Sequence, residues 1–166
     1  NYDSFCVYQM WCRDLISSNA KFSREVKLYF RERSEDDFFN SLSVEDKTNQ
    51  PIYTIDPEGS TDLDDAFQIN KVNDHTVKIT IHISNVFLVL NTLQMWSHLS
   101  ERISTIYLPD SKYCMLPDML SENICSLLEG NKRCSFAMEI NFDVITQTLD
   151  HSSLRFYNAL VKVHKN

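Results

Sequence analysis

No run of eighteen uncharged apolar residues occurs in the chain, so it carries no candidate helical membrane span. A secretory leader is not expected either: Asn1 to Ser17 includes Asp3, Arg13 and Asp14 and has no cleavage pattern. No CxxC pair is present. The cysteines, Cys6, Cys12, Cys114, Cys125 and Cys134, are odd in number. They read as reduced, mostly buried thiols of an intracellular protein, with a cytoplasmic setting expected ahead of a nuclear or organellar one. Positive charge is scarce: 16 Lys and Arg face 23 Asp and Glu, for a net charge of −7. That balance argues against a protein that coats nucleic acid through a general basic surface. It leaves a nuclease open, because much of the negative charge is concentrated in Glu35-Asp36-Asp37 and in one aspartate cluster. No internal repeat or low-complexity tract appears. The first residue is Asn rather than Met, and the chain is expected to be cut from something longer.

What is present reads as an α+β plan with a mixed, largely antiparallel sheet and packed helices. Residues 2 to 42 carry Leu15, Ile16, Phe22, Val26, Tyr29 and Phe30 at helical spacing. Ser34, three residues before Asp37, resembles a capping start to a short helix ending near Leu42. Ser43 to Gln50 is a polar connector, so residues 1–49 are expected to form a helical lead-in and residues 50–166 the main body. Strands are predicted over Ile52 to Ile55 and Ala66 to Ile69. A hairpin through Asn73-Asp74 then leads into Thr76 to Ser84. There Val77, Ile79, Ile81 and Ile83 share one face, and His82 lies on the other as a structural residue. Asn91 or Thr92 is the expected cap of a helix to about Ser104 on Leu93, Trp96, Leu99 and Ile103. A second helix is predicted on Leu120, Ile124, Leu127 and Leu128, stopping at Gly130. Cys134 to Val144 and Ser152 to Val163 alternate as a final strand pair.

The stretch Asp56-Pro57-Glu58-Gly59-Ser60-Thr61-Asp62-Leu63-Asp64-Asp65-Ala66 falls on the turn between two predicted strands. Two carboxylates about 5 Å apart repel by roughly 3 kcal/mol at an effective dielectric of about 20. Three readings compete. A calcium loop of the EF-hand type, counted from Asp62, has Phe67 where Gly is needed and Asn73 where Glu is needed. A solvated acidic turn fits Pro57-Glu58-Gly59. A magnesium site for phosphoryl transfer fits clustered hard oxygen ligands on a strand–turn–strand frame. An enzyme acting on nucleotide sugars through a short acidic motif is a weaker variant of the third.

The stretch resembles the signature of the RNB family, the catalytic domain of ribonuclease II, ribonuclease R and the processive exosome subunit. Further blocks match in order: Ile81-His82-Ile83-Ser84-Asn85-Val86, then Glu101 to Asp110, then Met115-Leu116-Pro117 with Leu120-Ser121 and Ile124-Cys125-Ser126-Leu127, then Ser135-Phe136-Ala137-Met138. The resemblance covers roughly Gln50 to Val163. It implies hydrolysis of single-stranded RNA from the 3′ end to nucleoside 5′-monophosphates with Mg²⁺, as two ions, Mn²⁺ being an expected substitute. Carried over residue by residue, Asp56 and Asp65 are the principal metal ligands and Asp62 completes the acidic cradle. Asp64 matches the aspartate that acts beside the scissile phosphate, with Asp62 alongside it. Tyr107 matches a base-stacking tyrosine, and Arg102 is an RNA-facing or structural residue.

Two departures stand out. Asn85 replaces the family's aspartate. The matched blocks make up the N-terminal half of the domain only, so the catalytic arginine of the family has no counterpart here, and the remainder of the RNB domain is an expected requirement. Expected partners are the 3′ end of single-stranded RNA and a larger RNA-degrading complex, with no membrane. The rival reading is a catalytically incomplete RNA-binding or scaffold fragment.

Overall fold

The computed structural model describes Cys6 and residues 13–99, 105–107 and 112–166. Helix α1 spans Arg13–Glu32 and α2 spans Glu35–Asn40. Ser34 caps α2 as its spacing predicts: its Oγ accepts from the Asp37 amide at 3.0 Å and donates to Asp37 Oδ2 at 2.7 Å. Three acidic residues in the first turn of α2 complement the positive end of its dipole.

Strands β1 (Glu45–Asp46), β2 (Ile52–Tyr53), β3 (Asp65–Lys71), β4 (Thr76–Ser84), β7 (Lys132–Asp143) and β8 (Thr148–Lys165) form one mixed sheet. Strands β5 (Ile106–Tyr107) and β6 (Lys112–Tyr113) pair separately. The antiparallel pairs are β2–β3, β3–β4, β4–β7 and β7–β8. Strand β8 then pairs β2 in parallel, which closes the sheet into a ring, and β1 adds to β8 in parallel. The α+β class and the largely antiparallel sheet read from the sequence are both seen.

Ring closure decides which face of each strand is inside. The interior takes Ala66, Gln68, Thr80, His82, Ser135, Ala137, Ala159, Val161 and Val163, all buried. A ring this narrow has room mostly for small side chains. The isoleucine face of β4 points outward. Ile83 is 53% exposed and Ile81 is also exposed, next to Phe136 and Phe156, whose rings stack at 5.9 Å. Elsewhere the outer wall is covered by helices, where Phe22, Val26, Phe38, Phe39, Val89, Leu90, Leu120 and Ile124 pack against Cys134 and Leu160. Burial pushes the thiols of Cys125 and Cys134 up to about 12, so both stay protonated.

His82 is the structural histidine expected. Its Nδ1 lies 3.0 Å from Ser135 Oγ, while Nε2 has no hydrogen-bond partner. Burial lowers its pKa to about 4, with the Lys47 charge a smaller contribution and Glu139 opposing. The unfolded chain therefore takes up a proton below the ordinary pKa of about 6.5 that the folded chain refuses. Stability from this source is complete above pH 6.5 and falls as the pH drops toward 4. The full loss is about 3 kcal/mol. Urea denaturation between pH 7.5 and 4.5 is expected to show most of that loss in the wild type and not in His82→Gln.

Two helix expectations need correction. Helix α3 spans Val86–Leu93, ending where the sequence suggested a start. Asn85 is its cap: Oδ1 accepts from the Leu88 amide at 2.9 Å, and Nδ2 donates to Asn158 Oδ1 at 2.8 Å. Gln94 at φ 57° turns the chain out of the helix, and among the described residues up to Leu99 a short 3₁₀ turn, Trp96–His98, follows. Ile103, assigned to that helix face, lies outside the described residues. The second helix is a short π-type turn, Met119–Ile124, whose Leu120 and Ile124 are buried as expected. Leu127 leaves it to fill the end of the ring beside Leu63 and Ile52.

Candidate active site

The acidic stretch leaves β2 and enters β3. Its bend is made by Pro57-Glu58-Gly59, where the Ser60 amide donates to the Pro57 carbonyl at 3.1 Å and Gly59 sits at φ 87°. Further on, the backbone is held by distant residues. The Ser84 amide donates to the Asp64 carbonyl at 2.7 Å, and the Leu127 amide donates to the Leu63 carbonyl at 2.9 Å. Ser126 Oγ accepts from the Leu63 amide at 3.0 Å and donates to the Thr61 carbonyl at 2.9 Å. Ser84 Oγ donates to the Cys125 carbonyl.

Asp62 and Asp64 line a cleft of about 180 Å³ with Val86, Tyr107, Cys114 and Leu116. Tyr107 is 75% exposed. The structure thus brings together three of the residues singled out from the sequence. Asp56 is half-buried, with Oδ2 buried and without a hydrogen-bond partner. Asp65 opens β3 on the outer face, opposite Ile83. Arg102 lies outside the described residues. Asp64 feels the charge of each of the other three aspartates. Partial burial raises the pKa of Asp64, and the charges of Asp62, Asp65 and Asp56 raise it further, in that order.

Among the described residues, no three His, Cys, Asp or Glu side chains converge as a ready-made metal cage. Magnesium does not need one, since it binds through one or two carboxylates and keeps waters. An unpartnered buried carboxylate oxygen at Asp56 and mutual repulsion at Asp64 are both relieved by a cation, so the donor set fits a hard divalent ion. The bracing roles of Ser84 and Ser126 were not legible from pattern. The only signal was their membership of blocks matched for other residues.

The RNB domain family profile matches residues 44–166. Exoribonuclease 2 of Psychromonas ingrahamii is 34% identical over 124 residues, which are 74% of this chain and 18% of that protein. The inactive exonuclease DIS3L2 of Arabidopsis thaliana is 35% identical over 88 residues, 52% of this chain and 8% of that protein. Mycoplasma genitalium RNase R in complex with double-stranded RNA superposes with a TM-score of 0.62 at 26% identity, covering 77% of this chain and 22% of that one. The chain therefore spans about a fifth or less of the length of these proteins. With the RNB profile spanning residues 44–166, which include the acidic stretch and the closed sheet, the chain belongs to the RNB-domain family.

Proposed function

We propose that this chain supplies the acidic wall of a 3′-5′ exoribonuclease that hydrolyses single-stranded RNA to nucleoside 5′-monophosphates. The observation that carries the reading is the cleft in which Asp62, Asp64 and Tyr107 meet, with Asp56 and Asp65 close enough to perturb Asp64. Mg²⁺, as two ions, would be held by Asp56 and Asp65 with Asp62, and would supply charge stabilisation at the phosphate. Asp64, lining the cleft beside Asp62, orients the attacking water and holds its proton at a carboxylate oxygen. Tyr107 presents an exposed ring for stacking on a terminal base, which tolerates any sequence and contributes about 1–3 kcal/mol per base. Arg102 is proposed to face the RNA backbone. The remainder of an RNB domain completes the opposite wall, in an intracellular setting and with a larger RNA-degrading complex as the expected partner.

A second reading is a catalytically incomplete RNA-binding fragment. It is favoured by the similarity to a relative named inactive, at 35% identity over 88 residues against 34% over 124 for the exoribonuclease. The test is a 5′-labelled single-stranded RNA incubated with Mg²⁺ and the chain, and with any longer polypeptide that carries it. The first reading expects stepwise shortening from the 3′ end, release of 5′-monophosphates, and loss of both on adding EDTA. RNA retention with no nucleotide release from either polypeptide would replace it with the second.

A further inference from the structure

We propose that Ser126 is a positioning residue for the acidic site, setting the backbone on which Asp62 and Asp64 stand. The proposal rests on the metal-holding reading above. Ser126 is fully buried and comes from a segment 63 positions away from Leu63 in sequence. One hydroxyl serves two partners across the loop: it accepts from the Leu63 amide and donates to the Thr61 carbonyl. Those two residues flank Asp62, so the hydroxyl bridges its peptide neighbours on both sides. The adjacent Leu127 amide holds the Leu63 carbonyl, and Ser84 holds the carbonyl of Asp64. The aspartate backbone is thereby fixed against two other elements, β4 through Ser84 and the segment after the π-type turn through Ser126 and Leu127. A row of mutually repelling carboxylates tends to spread, and the bridge opposes that movement before any cation arrives. Groups that orient metal-binding side chains through hydrogen bonds typically alter metal affinity by 10- to 100-fold.

The test uses Mn²⁺ alone as the probe, titrated against the chain and followed by electron paramagnetic resonance, with hydrogen exchange read at the Leu63 amide. Ser126→Ala is expected to weaken Mn²⁺ binding at least 10-fold and to speed exchange at Leu63. Ser126→Cys keeps the volume with a poor acceptor, is expected to shift both readouts in the same direction, and serves if the alanine variant does not fold. Asp56→Asn reports on the metal site itself, and Phe38→Leu, in the helical core, reports on general loosening. Unchanged Mn²⁺ affinity in the Ser126 variants, with loss in Asp56→Asn, would overturn the positioning role alone. An equal loss in Phe38→Leu would also overturn it. Undiminished Mn²⁺ binding in Asp56→Asn would instead remove the metal-holding reading, and the positioning role with it.

Discussion

Asp64→Asn is expected to cut nucleotide release by about 10²- to 10⁴-fold, the usual contribution of a positioned acid–base group, without destabilising the fold. The two halves of this prediction come from the same charge. In the folded chain Asp64 is pushed toward its neutral form by partial burial and then by Asp62, Asp65 and Asp56. A carboxyl whose folded pKa is raised costs the fold stability once it ionises, that is, at neutral pH. The amide keeps the size and removes the charge, so thermal unfolding without divalent metal should occur at the same temperature or higher. A packing residue would lose activity and stability together, and an uninvolved surface residue would lose neither. Single-turnover degradation of 5′-labelled RNA, beside thermal melts with and without Mg²⁺, separates the cases. Full retained activity would remove Asp64 from the chemistry. A lowered melting temperature would show that its charge is compensated within the chain.

Arg133→Ala is expected to cost about 3–5 kcal/mol of folding stability. The side chain is only 2% exposed. Nε donates to the Asn123 and Ser126 carbonyls at 2.8 and 3.1 Å, and Nη1 donates to the Lys132 carbonyl at 2.7 Å and meets Glu35 Oε2 at 3.3 Å. Nη2 donates to Asn123 Oδ1, and the guanidinium lies 5.5 Å from the centre of the Phe39 ring. One residue of β7 therefore ties the π-type turn and α2 to the sheet. Removing it strands several acceptors and leaves a void under Phe39. Arg133→Lys keeps the charge but not the planar fork, so it should recover only part of the loss. Glu35→Gln should cost less than either, because Glu35 is partly exposed and its hydrogen-bonding capacity survives. Urea denaturation of the three variants gives the order directly; an alanine variant as stable as wild type would show the network to be dispensable.

The sequence made the cap at Ser34, the β3–β4 hairpin, the long β7–β8 pair and the acidic turn legible, because each is decided by neighbours within a few residues. Tyr107 could be placed with the aspartates only through the matched block, since nothing local links position 107 to position 62. The start of α3 was missed because Val86 to Leu90 is uniformly apolar and offers no helical period, while the deciding hydrogen bond belongs to Asn85. The alternation of β4 separated its two faces correctly but could not say which would be enclosed. Ring closure decided that, and it turned the histidine side inward because small neighbours from β3, β7 and β8 left room for it. Arg133 is not singled out by the sequence pattern, which starts the strand one residue later at Cys134. Its burial depends on three elements that converge only after folding.

The ring is fastened unevenly. Strands β4 and β7 are paired from Thr76–Asp143 to Ser84–Ser135, whereas β2 meets β8 only at Ile52 and Tyr53, with a register shift between them, and meets β3 only at Tyr53. Local openings follow the least hydrogen-bonded seam of a structure. Here that seam leads directly to Asp56 and the bend at Gly59, while the far end of the same loop is anchored by Ser84, Ser126 and Leu127. The acidic loop is thus anchored more densely at its Asp62–Asp64 end than at its Asp56 end, where the Thr54 amide still donates to the Lys165 carbonyl at 3.2 Å, so hydrogen exchange is expected to be faster at Thr54 than at Leu63.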